Sequence, residues 1–449
     1  MSPVQKLRKG LDIPLRGIAE KVLTEAPPPK TISIKPTDFR GLTPKLLVKE
    51  GDLVAAGAPL FADKYRPRIL FTTPVGGIVS AIVRGEKRKL LEVKIDAIDN
   101  PPPPRSFKPE KLIREHIIET LLQSGCWPCI KQRPYGIIAN PDDTPGAIFI
   151  SAFDTAPLAP DLDYLLTGQE EALQHGIDIL NRLSPGGIYW SIPSHTPETS
   201  VLRKIKNVHT CLFQGKHPAG NVGVQIHHIA PISKGEVVWT IDPQSVLIIG
   251  RLFDTGILNT RKMVALTGPS ALKPCYISMI PGTSLSSLVQ MGPHDPKVRY
   301  ISGNCLTGDN VGFHGSLGFY HHQITLLPVG DHYEIFGWAK PWRPKTFSIS
   351  RTYLSWMLPK KRYALDTNIH GGVRAFVMSD VYAKVLPMDI YPVYLLKAIL
   401  AEDIDKMEAL GIYEVIEEDF ALCEFVCPSK IDIQEIISKG IDIMIKEMS

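Results

Sequence analysis

The sequence predicts a multidomain protein of mixed α/β class, and three observations carry that reading. Its 449 residues correspond to about three domains at roughly 150 residues each. Hydrophobic residues make up 44% and charged residues 21%, enough for several cores and unlike a disordered or fibrous chain. Its 35 glycines and 39 prolines, 74 turn-favouring residues in all, point to many short elements rather than a long helical bundle. A formal charge of +4 argues against nucleic-acid binding by bulk electrostatics. No stretch approaches the roughly 20 apolar residues of a membrane span. The opening Met-Ser-Pro-Val-Gln-Lys-Leu-Arg-Lys-Gly lacks the apolar centre of a signal peptide, so the chain is expected to stay in the cytoplasm. Seven cysteines, an odd and sparse set, fit free thiols in a reducing compartment.

The first hundred residues read as strands. The order Val48-Lys49-Glu50-Gly51-Asp52-Leu53-Val54, then Gly57-Ala58-Pro59-Leu60-Phe61, then Pro74-Val75-Gly76-Gly77-Ile78-Val79, alternates short apolar runs with Gly and Asp turns. It resembles the half-repeats of a biotinyl/lipoyl-like β barrel-sandwich, in which a modified lysine sits between the halves. Lys64 lies in that connection, but its flanks depart from the carrier pattern and Pro67 interrupts them, so it reads as a solvated surface lysine. Pro101 to Pro104 form a stiff, donor-free stretch that marks a domain boundary.

Beyond the prolines, Leu112, Ile113, Ile117, Leu121 and Leu122 recur at helical spacing after Pro109. Strand Ala147 to Ala152, helix Glu170 to Leu183, strand Ile188 to Ile192 and strand Val208 to Phe213 follow. This is the rhythm of a parallel sheet, and predicts a Rossmann-like α/β domain. Strands at Met263 to Leu266 and Cys275 to Met279, with a short helix from Pro281 to Leu288, predict a β-grasp unit of SLBB-like type. Gln323 to Leu327 and Tyr333 to Phe336 predict a hairpin around Gly330-Asp331. After Pro344 the chain is expected to turn helical, ending on the stripe Ile433, Ile436, Ile437, Ile441 and Ile445. The expected domains are 1–104 (lipoyl-like β), 105–258 (Rossmann-like), 259–340 (β-grasp with hairpin) and 341–449 (C-terminal helical region).

Four segments carry chemically suggestive residues. Cys126-Trp127-Pro128-Cys129 has the spacing of redox pairs and metal knuckles. Redox pairs open a helix, however, whereas this one follows a helix, and zinc needs two further ligands; two packed thiols is the plainer reading. Cys423-Glu424-Phe425-Val426-Cys427-Pro428 is the tail of an iron–sulfur run whose earlier ligand positions hold Phe420 and Glu417. Two thiolates do not hold a cubane cluster, which leaves only a metal shared across an interface. Phe213 to His228 mixes three glycines, Lys216 and three histidines without a dinucleotide or Walker pattern. It reads as a structural or interface loop in which His227 and His228 face opposite ways if extended. Lys360-Lys361-Arg362, preceded by Tyr353, Trp356 and Met357, suits either anionic lipid or an acidic partner, or a solvated helix end.

Taken in order, several words of the chain are shared with one family. They are Lys9-Gly10-Leu11-Asp12-Ile13-Pro14, residues 41–52 from Gly41-Leu42-Thr43-Pro44-Lys45, Asp154-Thr155-Ala156-Pro157-Leu158-Ala159, His217-Pro218-Ala219-Gly220-Asn221, Phe336-Gly337-Trp338, His370-Gly371-Gly372 and Leu422 to Pro428. On these the chain resembles the A-subunit family of the sodium-translocating NADH:quinone oxidoreductase over nearly its full length. That family is similar to the C subunit of the Rnf complex and to the flavin-bearing NADH subunit of respiratory complex I. Those relatives carry a Gly-Gly-Ala-x-Phe-Pro flavin loop where this chain has Gly125 to Pro134. Trp127 and Pro128 there remove the close backbone approach that a flavin phosphate needs.

The resemblance implies a peripheral subunit on the cytoplasmic face of the bacterial inner membrane, within a complex that oxidises NADH, reduces ubiquinone and exports sodium. It implies that NAD, FAD, FMN and iron–sulfur centres belong to partner subunits, that docking is mainly on the membrane-embedded B subunit, and that this chain holds no cofactor, no metal and no catalytic residue. It also implies a quinone contact at Leu42, Thr43, Pro44 and Lys45 and at Arg133, Pro134 and Tyr135. The alternative is a flavin- and iron–sulfur-dependent NADH oxidoreductase subunit like the complex I and Rnf relatives. If Lys64 is an ordinary lysine, intact mass spectrometry gives the mass of the bare sequence; an added prosthetic mass on the peptide containing Lys64 would make the chain a carrier.

Overall fold

Residues 3–288, 292–293, 295–332, 336–337, 343, 345–349 and 354–448 are described by a computed structural model. Near the N-terminus, two antiparallel sheets share one core. The first runs Thr31–Ile34, Leu90–Ala97, Gly77–Arg84, Leu53–Val54, and the second Pro44–Leu46, Pro59–Asp63, Leu70–Thr72. Ile32, Val79, Val93 and Ile95 from the first are buried, as are Leu60, Phe61 and Phe71 from the second. Phe61 stacks on Phe71 at 4.7 Å. Lys64 is exposed in the turn after the central strand. Asp63 ties that turn down by accepting from Arg66 Nε at 3.0 Å, and Arg66 reaches on to the carbonyl of Ile138 at 3.1 Å. The connection is therefore fastened to the next domain.

The proline run lies along the barrel: a Cβ on Gly76 would come within 2.5 Å of Pro101, and Arg105 N–H donates to Ala56 O at 2.9 Å. What precedes the barrel serves other units. Val4–Lys6 is the edge of the α/β sheet, parallel to His209–Gln214, and Glu20–Glu25 is the edge of a third sheet, parallel to Cys275–Met279. Both are polar, exposed strands without the apolar alternation that reveals a strand in sequence.

The α/β sheet has seven strands in the order Val4–Lys6, His209–Gln214, Ile188–Pro193, Ile148–Ser151, Val238–Thr240, Lys131–Arg133, Ile137–Ile138. The first five are parallel, and the last two form an antiparallel hairpin on the edge. Ile148, Phe149 and Ile150 are all buried, as expected of a strand covered on both faces. The predicted first helix begins later than expected, as Arg114–Ser124, because Ile113 is extended and stands at its cap. Helices Glu170–Leu180 and Pro243–Thr255 cross in close contact. A Cβ on Gly176 would lie 2.3 Å from the Val246 carbonyl oxygen, and one on Gly250 1.8 Å from that of Ala172.

The third sheet runs Asp309–Asn310, Val298–Ser302, Gln323–Pro328, Lys262–Thr267, Cys275–Met279, Glu20–Glu25. Gln323–Pro328 pairs with Val298–Ser302 and Lys262–Thr267; the second strand of the expected hairpin falls mostly at residues 333–335, outside the described residues, as do Trp338 and Tyr353. Helicity after Pro344 is confined, among the described residues up to 380, to the turn Leu354–Met357, since Pro359 and Gly371-Gly372 break the pattern. Five helices then follow: Val381–Val385, Pro392–Leu400, Ile404–Ala409, Glu417–Val426 and Ile433–Met448. On the last, Ile433, Ile437 and Ile441 are buried while Ile436 and Ile445 are half-buried. His227 and His228 sit on helix Val222–Ile229 rather than in an extended loop, with Nδ1 of His227 2.6 Å from Glu414 and Nε2 of His228 2.8 Å from the Pro387 carbonyl.

Replacing Gly250 by Ala drives a methyl into backbone, so the two helices must part. We expect a loss of about 2–3 kcal/mol in urea unfolding, whereas Gly372→Ala, with nothing within 4 Å, leaves the midpoint unchanged.

Candidate functional site

A cavity of about 430 Å³ opens where three units meet. Its floor is the carboxyl end of the parallel strands: Ser151, Gly220 and Asp242 each follow or end a strand there. This is the region of an open α/β sheet where ligands characteristically bind. Tyr320 and His322 come from the segment that leads into strand Gln323–Pro328 of the third sheet, and Glu417 and Glu418 from the helical region.

The lining carries many charged side chains on a largely apolar surface. Lys131 holds its ammonium 3.9 Å from the centroid of the Tyr320 ring, a cation–π contact. Burial lowers the Lys131 pKa against the pull of Glu418 and Asp242. The Tyr320 hydroxyl donates to the Pro128 carbonyl at 2.7 Å. Burial pushes the Asp154 carboxyl upward, but His322 beside it, with Nε2 at 3.6 Å, and the Ala156 N–H outweigh that and leave it below the usual range. Burial likewise opposes the ionised form of Asp242, and Lys262, His322 and the cap bond from Ser245 overcome it. His321, desolvated and surrounded by cations, is brought down to about 3 and is neutral.

Residues flanking the two stretches expected to touch quinone adjoin one another. A Cβ on Gly41 would stand 3.7 Å from the side chain of Ile137, in the hairpin that also carries Arg133. Leu42, Thr43 and Pro44 are half-buried and Lys45 is exposed. Arg133 is buried and committed: one terminal nitrogen donates to Asp419 Oδ2 at 2.9 Å and the other to Glu418 Oε1 at 2.8 Å. Asp419 Oδ2 also accepts from the Ile416 N–H at 3.0 Å, capping helix Glu417–Val426. Arg40, from the barrel, pairs with Glu417 and reaches Asp442 on the last helix. Burial raises the Glu418 pKa although Arg133 pulls it down. Pro134 is buried, and Tyr135, at φ +81°, turns its ring edge towards Tyr413 at 6.2 Å.

The residues present do not fit a flavin at Gly125 to Pro134. Trp127 is fully buried, donates Nε1–H to the Ala139 carbonyl at 2.8 Å and packs edge-on against Trp239 at 5.4 Å, filling the space a phosphate and its loop would need. Cys126 and Cys129 are buried thiols whose pKa burial pushes up, that of Cys129 to about 11. Cys423 and Cys427 point into the helical core, Cys427 Sγ lying 3.0 Å from the Tyr382 hydroxyl. Among the described residues no three His, Cys, Asp or Glu side chains gather as metal ligands.

Sequence reasoning missed Lys131, Asp154, Asp242, Tyr320 and His322 as wall residues. The signal was present in the words 154–159 and 217–221, which follow strands of a parallel sheet; Tyr320 and His322 arrive from a distant unit and carry no local pattern.

Asp38 fixes one wall by accepting from the Phe319 N–H at 2.8 Å, and burial pushes its carboxyl up to about 6. Because the folded value exceeds the unfolded one, the native state holds the extra proton between about pH 4 and 6. Stability therefore falls as pH rises through that window, by the order of 1–3 kcal/mol. Urea midpoints at pH 4.5 and 7.5 should show a smaller decline in Asp38→Asn than in the unaltered chain; equal declines would refute the assignment.

Three family models match the chain: the NqrA N-terminal barrel-sandwich hybrid domain over residues 5–98, the NqrA second alpha/beta domain over 112–258 and the NQRA C-terminal domain, of SLBB type, over 263–312. The chain is 39% identical over 431 residues to the A subunit of the Na(+)-translocating NADH-quinone reductase of Yersinia pestis bv. Antiqua, covering 95% of this chain and 96% of that one. It is 38% identical over 447 residues to the protein of the same name from Neisseria meningitidis serogroup A, covering 98% and 99%. Among solved structures, a chain of the NAD+-reducing [NiFe]-hydrogenase in the air-oxidized state aligns at 12% identity and a TM-score of 0.35, over 74% of this chain and 61% of that one. With three family domains in order and full-length relatives near 39% identity, the chain belongs to the A-subunit family of the Na+-translocating NADH-quinone reductase.

Proposed function

We propose that the chain is a peripheral scaffold subunit of a sodium-translocating NADH:quinone reductase, docked mainly on the membrane-embedded B subunit at the cytoplasmic face, with the NAD, FAD, FMN and iron–sulfur chemistry in its partners. The observation that carries this is the near full-length identity to named A subunits. No helix among the described residues is long and apolar enough to cross a membrane, which is compatible with a peripheral place. The domain limits 1–104, 105–258, 259–340 and 341–449 and the Rossmann-like character of the second unit belong to the same reading. The strands Val4–Lys6 and Glu20–Glu25 are donated to the second and third units.

In this reading the chain contributes position rather than electron transfer. Buried Trp127 stands where the relatives' flavin loop opens, and the thiols of the shortened cluster run are packed away from solvent. The quinone contact is proposed at Leu42, Thr43, Pro44 and Lys45, with Arg133, Pro134 and Tyr135 as its second wall. Lys45 and the Tyr135 hydroxyl are the donors that would face the ring, and Arg133 holds the turn through its carboxylates. A quinone ring needs an apolar slot with one or two such donors, and Leu42 and Pro44 supply apolar surface.

Two outcomes test this. The purified chain alone should oxidise no NADH with an artificial acceptor, and measurable turnover would replace the scaffold reading by the flavin-dependent one. In the assembled complex a photoreactive quinone should label residues 41–47, and Lys45→Ala should reduce the label severalfold. Label confined to another subunit would remove the quinone contact and leave the scaffold reading standing.

A further inference from the structure

We propose that the knob formed by Trp356, Met357 and Leu358, with the cations that follow it, rests on an anionic lipid surface. This goes beyond the subunit reading, since protein partners alone would suffice for assembly.

The knob is a hydrogen-bonded turn. After the turn Leu354–Met357, Leu358 N–H donates to the Ser355 carbonyl at 3.1 Å and Lys361 N–H to the Leu358 carbonyl at 3.0 Å, so successive turns hold one shape. The Ser355 hydroxyl and the Ser348 backbone close its base. Three consecutive apolar side chains nevertheless face outward: Trp356, Met357 and Leu358 are 54%, 59% and 52% exposed. Removing the exposed part of such a run from water is favourable only against another apolar phase.

Charge names that phase. Pro359 is followed at once by Lys360, Lys361 and Arg362; Lys360 and Arg362 are exposed or half-exposed and enter no ion pair among the described residues. Tyr363 anchors the far end. It is buried, its N–H donates to the Pro14 carbonyl at 2.8 Å, and its carbonyl accepts from the Arg16 N–H at 2.9 Å. The parallel bridge between Leu15 and Tyr363 places exposed Arg16 on the neighbouring segment, with Ile18, 65% exposed, two residues on. Residues 354–378 hold four Lys or Arg against one acidic residue, Asp366, so the excess is positive where the apolar tip protrudes.

A tryptophan with two flexible apolar neighbours suits the depth of the headgroup region, where an indole keeps its N–H wet. The adjoining lysines and arginines meet the negative surface of an anionic leaflet. Exposed apolar side chains followed directly by cations fit an interface that is apolar inside and anionic at its surface. An acidic protein partner would satisfy the cations but leave the tip to find a matching pocket, and it is the competing outcome.

The test is flotation of the full-length chain with vesicles of phosphatidylethanolamine containing about a quarter phosphatidylglycerol, against vesicles of phosphatidylcholine alone. We expect binding to the anionic vesicles, at least about tenfold weaker on the neutral ones, and weakened by salt. Lys360→Glu/Lys361→Glu/Arg362→Glu should lower it at least about tenfold and Trp356→Ser/Met357→Ser severalfold. The thermal midpoint should change little in both variants, because Trp356, Met357, Lys360 and Arg362 are exposed and only Lys361 is half-buried, over the Tyr363 ring. Equal binding to the two vesicle types, no binding to either, or full binding by the charge-reversed variant would overturn the proposal. If the chain ignores vesicles but the charge-reversed variant fails to join the other reductase subunits, the partner is an acidic protein surface and the lipid claim falls. Failure of the unaltered chain to join those subunits would instead remove the subunit reading.

Discussion

The Arg133 guanidinium, buried between a sheet edge and a helix start, is the interaction on which the arrangement of units depends. A buried cation is costly unless its nitrogens meet carboxylates in good geometry, and Arg133 meets two, from Glu418 and Asp419. Those residues open helix Glu417–Val426, and Asp419 caps it as well. The same acidic turn takes Arg40 from the barrel at Glu417. One helix start thus receives a cation from each of the first two units, the barrel and the α/β sheet. Gly223 shows how tightly it is held, since a Cβ there would stand 2.6 Å from an Asp419 oxygen.

The cavity follows from that clamp. Its floor is set by the parallel strands, but its sides belong to the third sheet and the helical region, so it exists only while the units keep their places. Lys131 and Arg133 leave the same short strand for opposite fates, one ammonium lying over an aromatic ring and the other cation paired twice over. For the proposed scaffold role this matters. A body that presents fixed surfaces to neighbours needs rigid joints between its units, and charge-paired joints of this kind tolerate little sliding.

Much of the fold is legible because periodicity encodes it. The barrel strands, the buried strand Ile148–Ser151, the helix Glu170–Leu180 and the isoleucine stripe of the last helix all declare themselves by spacing. The strands Val4–Lys6 and Glu20–Glu25 do not: an edge strand docks through its backbone, and backbone hydrogen bonds leave no mark on side-chain pattern. The site is less legible still. Its loops are visible as shared words, but their convergence with Tyr320, His322 and Glu418 depends on sequence separations of about a hundred residues and more. Arg133 is expected at a quinone contact because the family resemblance implies it; its carboxylate partners lie in a distant helix, and only packing reveals that its hydrogen bonds are spent. His227 and His228 read as part of a structural or interface loop because glycines interrupt the segment before them, yet the run Val222 to Ile229 forms a helix once Asn221 starts it.

The most direct test of this account is a double-mutant cycle on Arg133 and Asp419, using Arg133→Met, Asp419→Leu and the pair, read by urea unfolding of the full chain. Arg133→Met strands the buried Asp419 carboxylate and should cost about 3–5 kcal/mol, while Asp419→Leu leaves Arg133 with Glu418 alone and should cost about 3 kcal/mol; the pair should recover a substantial part of the sum, with a coupling energy of about 2–3 kcal/mol. A coupling energy near zero would mean that the two groups do not depend on each other, and that the clamp between sheet and helix is not what holds the units together.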